Sequence, residues 1–172
     1  RSGSMTGEKI DSVKKAVAQI LDRLGPDDYI SLVLFNERSL VALPAQNIQD
    51  IERLKARIGS LQAEGETSMS KGMQDGLDEL RKYTGPTRTS RMLLLTDGQT
   101  WEDEADCKHL ASECQLSDIT ITALGVGEDW NETLLDAIAR NSSGRADYVD
   151  SPEKIISNFE DELYLLQNVA IQ

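Results

Sequence analysis

Segments with the 3.6-residue period of a helix alternate along this whole chain with short apolar runs of strand length, and that alternation restricts the fold more than any other feature. A bundle has no place for the apolar runs and a sandwich has none for the helices, whereas a sheet with helices on its faces takes both. From Glu8 to Leu24, Ile10, Val13, Val17, Ile20, Leu21 and Leu24 form one helical stripe, stopped by Gly25-Pro26. Tyr29 to Phe35 is nearly all apolar, as a strand covered on both faces requires. After the turn Asn36-Glu37-Arg38, Ser39 to Leu43 reads as a shorter strand, ended by Pro44 and paired antiparallel at the sheet edge.

The alternation continues. A helix over Ile48 to Leu61 buries Ile48, Ile51, Leu54 and Ile58. A helix over Ser70 to Tyr83 turns Met73, Leu77 and Leu80 inward, and Gly72 and Gly76, four apart, allow a neighbour to come close. Arg91 to Thr96 is a buried strand that delivers Asp97-Gly98 to the end where parallel strands present functional loops. Helix Asp103 to Gln115, strand Ile119 to Leu124, helix Glu132 to Arg140 capped by Asn131, and strand Arg145 to Val149 follow. Ser151-Pro152 then starts a helix to about Leu166. The expected fold is α/β: three layers around a doubly wound, mostly parallel sheet, with four parallel strands and one antiparallel edge strand. No repeat or linker divides the chain, and 172 residues suit one domain with a core of its own.

Charge narrows the partners. With 30 acidic against 18 basic residues the net charge is -12, which repels nucleic-acid backbones and anionic membrane surfaces. The longest apolar runs, such as Met92 to Leu95, are too short for membrane insertion. Cys107 and Cys114 lie on one helical face but ~10 Å apart along the axis, too far for a disulfide, and read as core thiols. Two unbridged thiols suit the cytoplasm somewhat better than the outside. His109, the single histidine, falls on an exposed helix position, so a Ser-His-Asp hydrolase has no base. Met5, Met69, Met73 and Met92 read as core fillers, and Trp101 as either a partner anchor or a sheet-edge packing residue.

Three loops carry the candidate chemistry: Ser2 with Ser4, Thr67, and Asp97. Hydroxyls plus one carboxylate, completed by water, make the all-oxygen shell that Mg2+ accepts, with Mn2+ or Ca2+ as alternatives. Few negative charges touch such an ion, so it stays electrophilic and gains from an incoming carboxylate. Glu66, Glu102, Asp103 and Glu104 lie near the rim of this site and read as solvated loop charges.

These motifs, in order, resemble the von Willebrand factor type A domain, the module also inserted in integrins. The resemblance rests on Ser2-Gly3-Ser4, on Gly65-Glu66-Thr67 with Gly72 beyond it, on Leu93-Leu94-Leu95-Thr96-Asp97-Gly98, and on Gly125-Val126-Gly127 leading into Leu134-Leu135. It covers essentially the whole chain, with residues 1–166 as the domain and 167–172 as a tail or the start of a following segment. It implies a metal-ion-dependent adhesion site in which Ser2 and Ser4 bind the ion directly, Thr67 directly or through water, and Asp97 mostly through water. The family's motif opens with an aspartate that closes a central first strand, and this chain begins just after that position. The resemblance therefore implies that the first strand comes from a removed segment, a separate chain or a swapped neighbour, and that these residues do not fold alone. The implied function is binding, not catalysis: the ion grips an Asp or Glu side chain of a partner protein. Two other readings stay open, a metal-free scaffold in a larger assembly and a Mg-dependent hydrolase.

Overall fold

The structure, a computed structural model, describes residues 8–35, 38–48, 50–60, 68–100, 102–126 and 130–169. Its elements run α1 (Glu8–Leu21), β1 (Tyr29–Phe35), β2 (Ser39–Asn47), α2 (Ile51–Gly59), α3 (Met69–Arg81), β3 (Ser90–Thr96), α4 (Glu104–Leu116), β4 (Ile119–Val126), α5 (Glu132–Asn141), β5 (Arg145–Val149) and α6 (Pro152–Val169). β3, β4 and β5 form a parallel sheet in that order, with Met92 opposite Ile121 and Thr122 opposite Arg145. β1 and β2 form a separate antiparallel pair.

Strand alternation sorts the apolar side chains onto two faces. Leu94, Ile119, Ile121 and Ala123 pack with Met69, Met73 and Leu77 of α3, Cys107, Leu110 and Cys114 of α4, and Leu134, Leu135 and Ile138 of α5. The residues between them, Leu93 and Leu95 of β3 and Leu124 and Val126 of β4, pack with Ala16 of α1 and Ile155 and Ile156 of α6. A third cluster joins Val17 and Leu21 of α1 to Leu43, Ile48, Leu54 and Ile58. Three layers result, with α1 and α6 on one side of the parallel sheet and α3, α4 and α5 on the other. Each fully buried Leu or Ile contributes about 1.5–3 kcal/mol by leaving water, which makes these faces the main source of stability.

Two helices straddle both sheets. On α3, a Cβ at Gly72 would fall 2.5 Å from the Phe35 ring of β1, and one at Gly76 would fall 3.1 Å from the Met92 methyl of β3. The glycine pair thus lets one helix lie against both sheets, as its spacing predicts. On the opposite side, Val13 of α1 packs against both the α6 cluster and the α2 cluster. Among the described residues no strand pairs with the edge of β1 away from β2 or with the edge of β3 away from β4.

Several element bounds depart from the sequence expectation. The expected antiparallel pairing of β1 with β2 is present, while among the described residues three strands, rather than the four expected, form the parallel sheet. β2 does not end at Pro44 but continues to Asn47. The register slips between Ile30/Gln46 and Leu32/Leu43, so Pro44, which has no N–H to give, sits in a bulge. The next amide, Ala45 N–H, donates instead to the buried Glu79 carboxylate of α3 at 2.7 Å. α1 stops at Leu21, three residues before Leu24, and α2 starts at Ile51, where Asp50 Oδ1 accepts from Arg53 N at 3.0 Å. Met92 is half-buried, unlike the enclosed Met69 and Met73, while Met5 and Trp101 lie outside the described residues. Both cysteines are free and buried, and His109 is exposed on α4.

Candidate metal centre

β3 and β4 run parallel in register to Thr96 opposite Gly125, so both deliver their following loops to one pole of the sheet. Asp97 is the first residue past β3 and is only 4% exposed. Gly98 then turns the chain with φ at 72°, a conformation that L side chains rarely take. A Cβ there would also stand 3.0 Å from Asn131 Cβ and 3.2 Å from Leu135 Cγ, so position 98 favours glycine on two counts. Gly98 N donates to Thr96 Oγ1 at 3.1 Å, and Gln99 N donates to Asp97 Oδ1 at 3.1 Å.

A second tie fixes the loop from behind. Asn131 N donates to the Asp97 carbonyl at 2.8 Å, while the Asn131 side chain accepts from Leu134 N at 3.1 Å as the expected cap of α5. Trp130 lies directly over Gly125, where a Cβ would come within 2.1 Å of its ring. No lysine, arginine or histidine among the described residues pairs with the Asp97 carboxylate. A carboxylate almost removed from water, held by a backbone amide and lacking a basic partner, suits contact with a cation or its water shell.

The other sequence-predicted ligands, Ser2, Ser4 and Thr67, lie outside the described residues. Ser68, the next described residue, leads into α3 in an extended conformation. Among the described residues no group of three or more His, Cys, Asp and Glu side chains clusters as a metal site. A hydroxyl-rich shell with one carboxylate would not form such a cluster, so the donor chemistry at Asp97 remains compatible with a hard cation.

Asp103 departs from its expected role. It is not a solvated rim charge but a carboxylate 8% exposed. Its Oδ2 accepts from Ser70 N at 2.8 Å and from Ser68 Oγ at 3.2 Å, and its Oδ1 accepts from the Thr100 hydroxyl. Thr100 Oγ1 in turn accepts from Met69 N at 3.3 Å. Burial pushes the Asp103 carboxyl up, but the hydrogen bonds from Thr100, Ser70 and Ser68 outweigh it and hold the group below the usual carboxylate range. Glu102 precedes it with φ at 58°, a left-handed turn that reverses the chain before α4. The spacing Thr100-x-x-Asp103 has the form of a capping box and was the available signal. Hydropathy alone cannot show that such a pair caps a different helix.

The family model for the von Willebrand factor type A domain matches residues 1–162. The chain belongs to that family. The Synechocystis sp. protein sll0103 is 31% identical to the domain over 171 residues, covering 99% of this chain and 40% of the relative. Inter-alpha-trypsin inhibitor heavy chain H1 from Sus scrofa is 30% identical over 191 residues, covering 99% of this chain and 21% of the relative. The domain thus spans about two fifths and one fifth of these curated relatives. Among solved structures, a von Willebrand factor type A protein from Catenulispora acidiphila superposes with a TM-score of 0.81 at 25% identity, covering 94% of this chain and 39% of that one. Proximal thread matrix protein 1 from the mussel byssus, solved with a zinc-occupied MIDAS motif, gives a TM-score of 0.75 at 23% identity, covering 96% of this chain and 43% of that one. At that identity the likeness speaks for the fold.

Proposed function

We propose that this type A domain binds a divalent cation, Mg2+ first and Mn2+ or Ca2+ as alternatives, and uses it to hold an Asp or Glu side chain of a partner protein. The observation that carries the proposal is Asp97: 4% exposed, at the end of a parallel strand, anchored by Gln99 N and without a basic partner among the described residues. Ser2, Ser4 and Thr67 complete the proposed shell with neutral oxygens. When bound, the ion supplies a positive centre short of negative ligands, to which a partner's carboxylate adds favourably. The zinc-occupied site of the mussel byssus protein, on the same fold, is compatible with this use.

The domain's own contribution is rigidity. Gly98 fixes the turn, Asn131 N holds the Asp97 carbonyl, and α5 anchors Asn131, so the carboxylate is oriented before any ion arrives. The same proposal includes an additional strand, from a separate chain or a swapped neighbour, that pairs with the edges of β1 and β3 left without a described strand.

The test is paired. EDTA and Asp97→Ala should each abolish partner capture while far-UV circular dichroism stays unchanged, and added Mg2+ should restore only the wild type. Capture that survives both treatments removes the adhesion-site reading.

A further inference from the structure

We infer that Asp103 is a positioning residue whose buried carboxylate, together with the Thr100 hydroxyl, locks the start of α3 to the Asp97 loop at one fixed separation and so presets the cation site. The inference rests on the metal-binding reading above and adds the part that neither Asp97 nor the family match assigns.

Where the hydrogen bonds run is decisive. Asp103 stands at the N-cap position of α4, yet its side chain makes no cap bond to α4. Ser68 stands at the N-cap position of α3, and its side chain makes no cap bond to α3 either. The first amides of α3 are served instead from the Asp97 loop, Ser70 N by Asp103 Oδ2 and Met69 N by Thr100 Oγ1. The helix is therefore capped across a gap of about thirty residues in sequence by groups that belong to another loop. An ionised carboxylate at a helix N-terminus is also favoured by the helix dipole.

The positions make this cap consequential. Thr67 immediately precedes Ser68, and Thr100 lies three residues past Asp97. The Asp103 network therefore joins the two segments that follow the proposed ligands Thr67 and Asp97 in sequence. The network holds Ser68, Met69 and Ser70, which follow Thr67 in sequence, against Thr100 and Asp103, which follow Asp97. Residues that orient ligands from behind typically change metal affinity 10–100-fold when replaced. The Cys107 thiol, 3.9 Å from Asp103 Oδ1 and pushed up by burial and by Asp103, closes the remaining side of the carboxylate as an un-ionised donor.

Mn2+ binding to the full chain, followed by the loss of the free-ion electron paramagnetic resonance signal, tests the inference. Asp103→Asn and Thr100→Val should each weaken Mn2+ binding at least tenfold, by the range for such residues, while Thr100→Ser, which keeps the hydroxyl, should stay within threefold of wild type. The core-weakening control Ile138→Val lowers the unfolding temperature and should leave Mn2+ affinity unchanged. Asp103→Asn and Thr100→Val proteins that bind Mn2+ as the wild type does overturn the positioning role and leave the metal-binding reading standing. A wild-type chain that takes up no Mn2+ overturns that reading, and this inference falls with it. Should Asp103→Asn not fold, the Thr100→Val and Thr100→Ser pair decides alone.

Discussion

Two glycine-to-alanine substitutions should move stability in opposite directions, for reasons visible in the packing. Gly144 follows α5 and leads into β5, and its amide donates to the Ala139 carbonyl at 2.8 Å as the helix ends. A Cβ at this position would lie 1.9 Å from the Ile121 carbonyl oxygen, 2.8 Å from its carbon and 3.0 Å from Thr120 Cγ2. Those are atoms of β4, which is paired on both sides, so the obstacle cannot rotate away. Overpacking against side chains costs about 1–3 kcal/mol, and a clash with central-strand backbone belongs at or above the top of that range. Taking about 3 kcal/mol and about 2–4 °C per kcal/mol for a chain of this size, Gly144→Ala should lower the unfolding midpoint by about 6–12 °C. Gly59, at the end of α2, has nothing within 4 Å of a built Cβ. Gly59→Ala should therefore stabilise by about 0.4–1 kcal/mol, mainly by restricting the unfolded chain. Thermal and urea unfolding followed by circular dichroism, with m-values checked for equality, measure both. A Gly144→Ala protein within about 1 kcal/mol of wild type would refute the argument from β4.

Burial pushes Glu79 up, but Ala45 N–H and the Lys82 ammonium outweigh it and hold its carboxyl below the ordinary 4.5. Its contribution is thus complete above the unfolded value and lost as pH falls through the lower folded value. Glu79→Gln should cost about 1.5–3 kcal/mol at neutral pH, and urea titrations at falling pH should show the gap to wild type closing below about pH 4.5. Cys107 and Cys114 are buried, with the Cys114 thiol pushed up to about 11 by burial. Both should resist a thiol reagent at pH 8 in the folded chain and react in denaturant, which absorbance of the released chromophore follows.

The periodic elements were legible in the sequence because their signals are local. The stripe of α1, the apolar run of β3, the Asn131 cap and the Ser151-Pro152 start of α6 each depend on neighbours within a few positions. The antiparallel ladder of β1 with β2 was legible from the short connection after Phe35, whereas the number of parallel strands was not, because strand partners distant in sequence leave no local signal. Pro44 misled for a related reason, since a bulge that excuses its missing donor depends on the register of the opposite strand. The place of Asp97 at a strand end was legible because an apolar run leads directly into Asp-Gly. Asp103 was not, because the amides it serves belong to α3, distant in sequence.

The division of the strands into a pair and a triplet sets how the molecule breathes. β4 has ladder partners on both flanks, whereas β1 and β3 each turn one flank toward no described strand. Alternate backbone amides on those flanks should trade their protons for deuterium long before the amides of β4, with α1 and α3 left to keep the pair and the triplet in step. A chain or peptide that added a ladder across both flanks would merge two cooperative units into one, and slowed deuterium uptake in β1 and β3 together would report it.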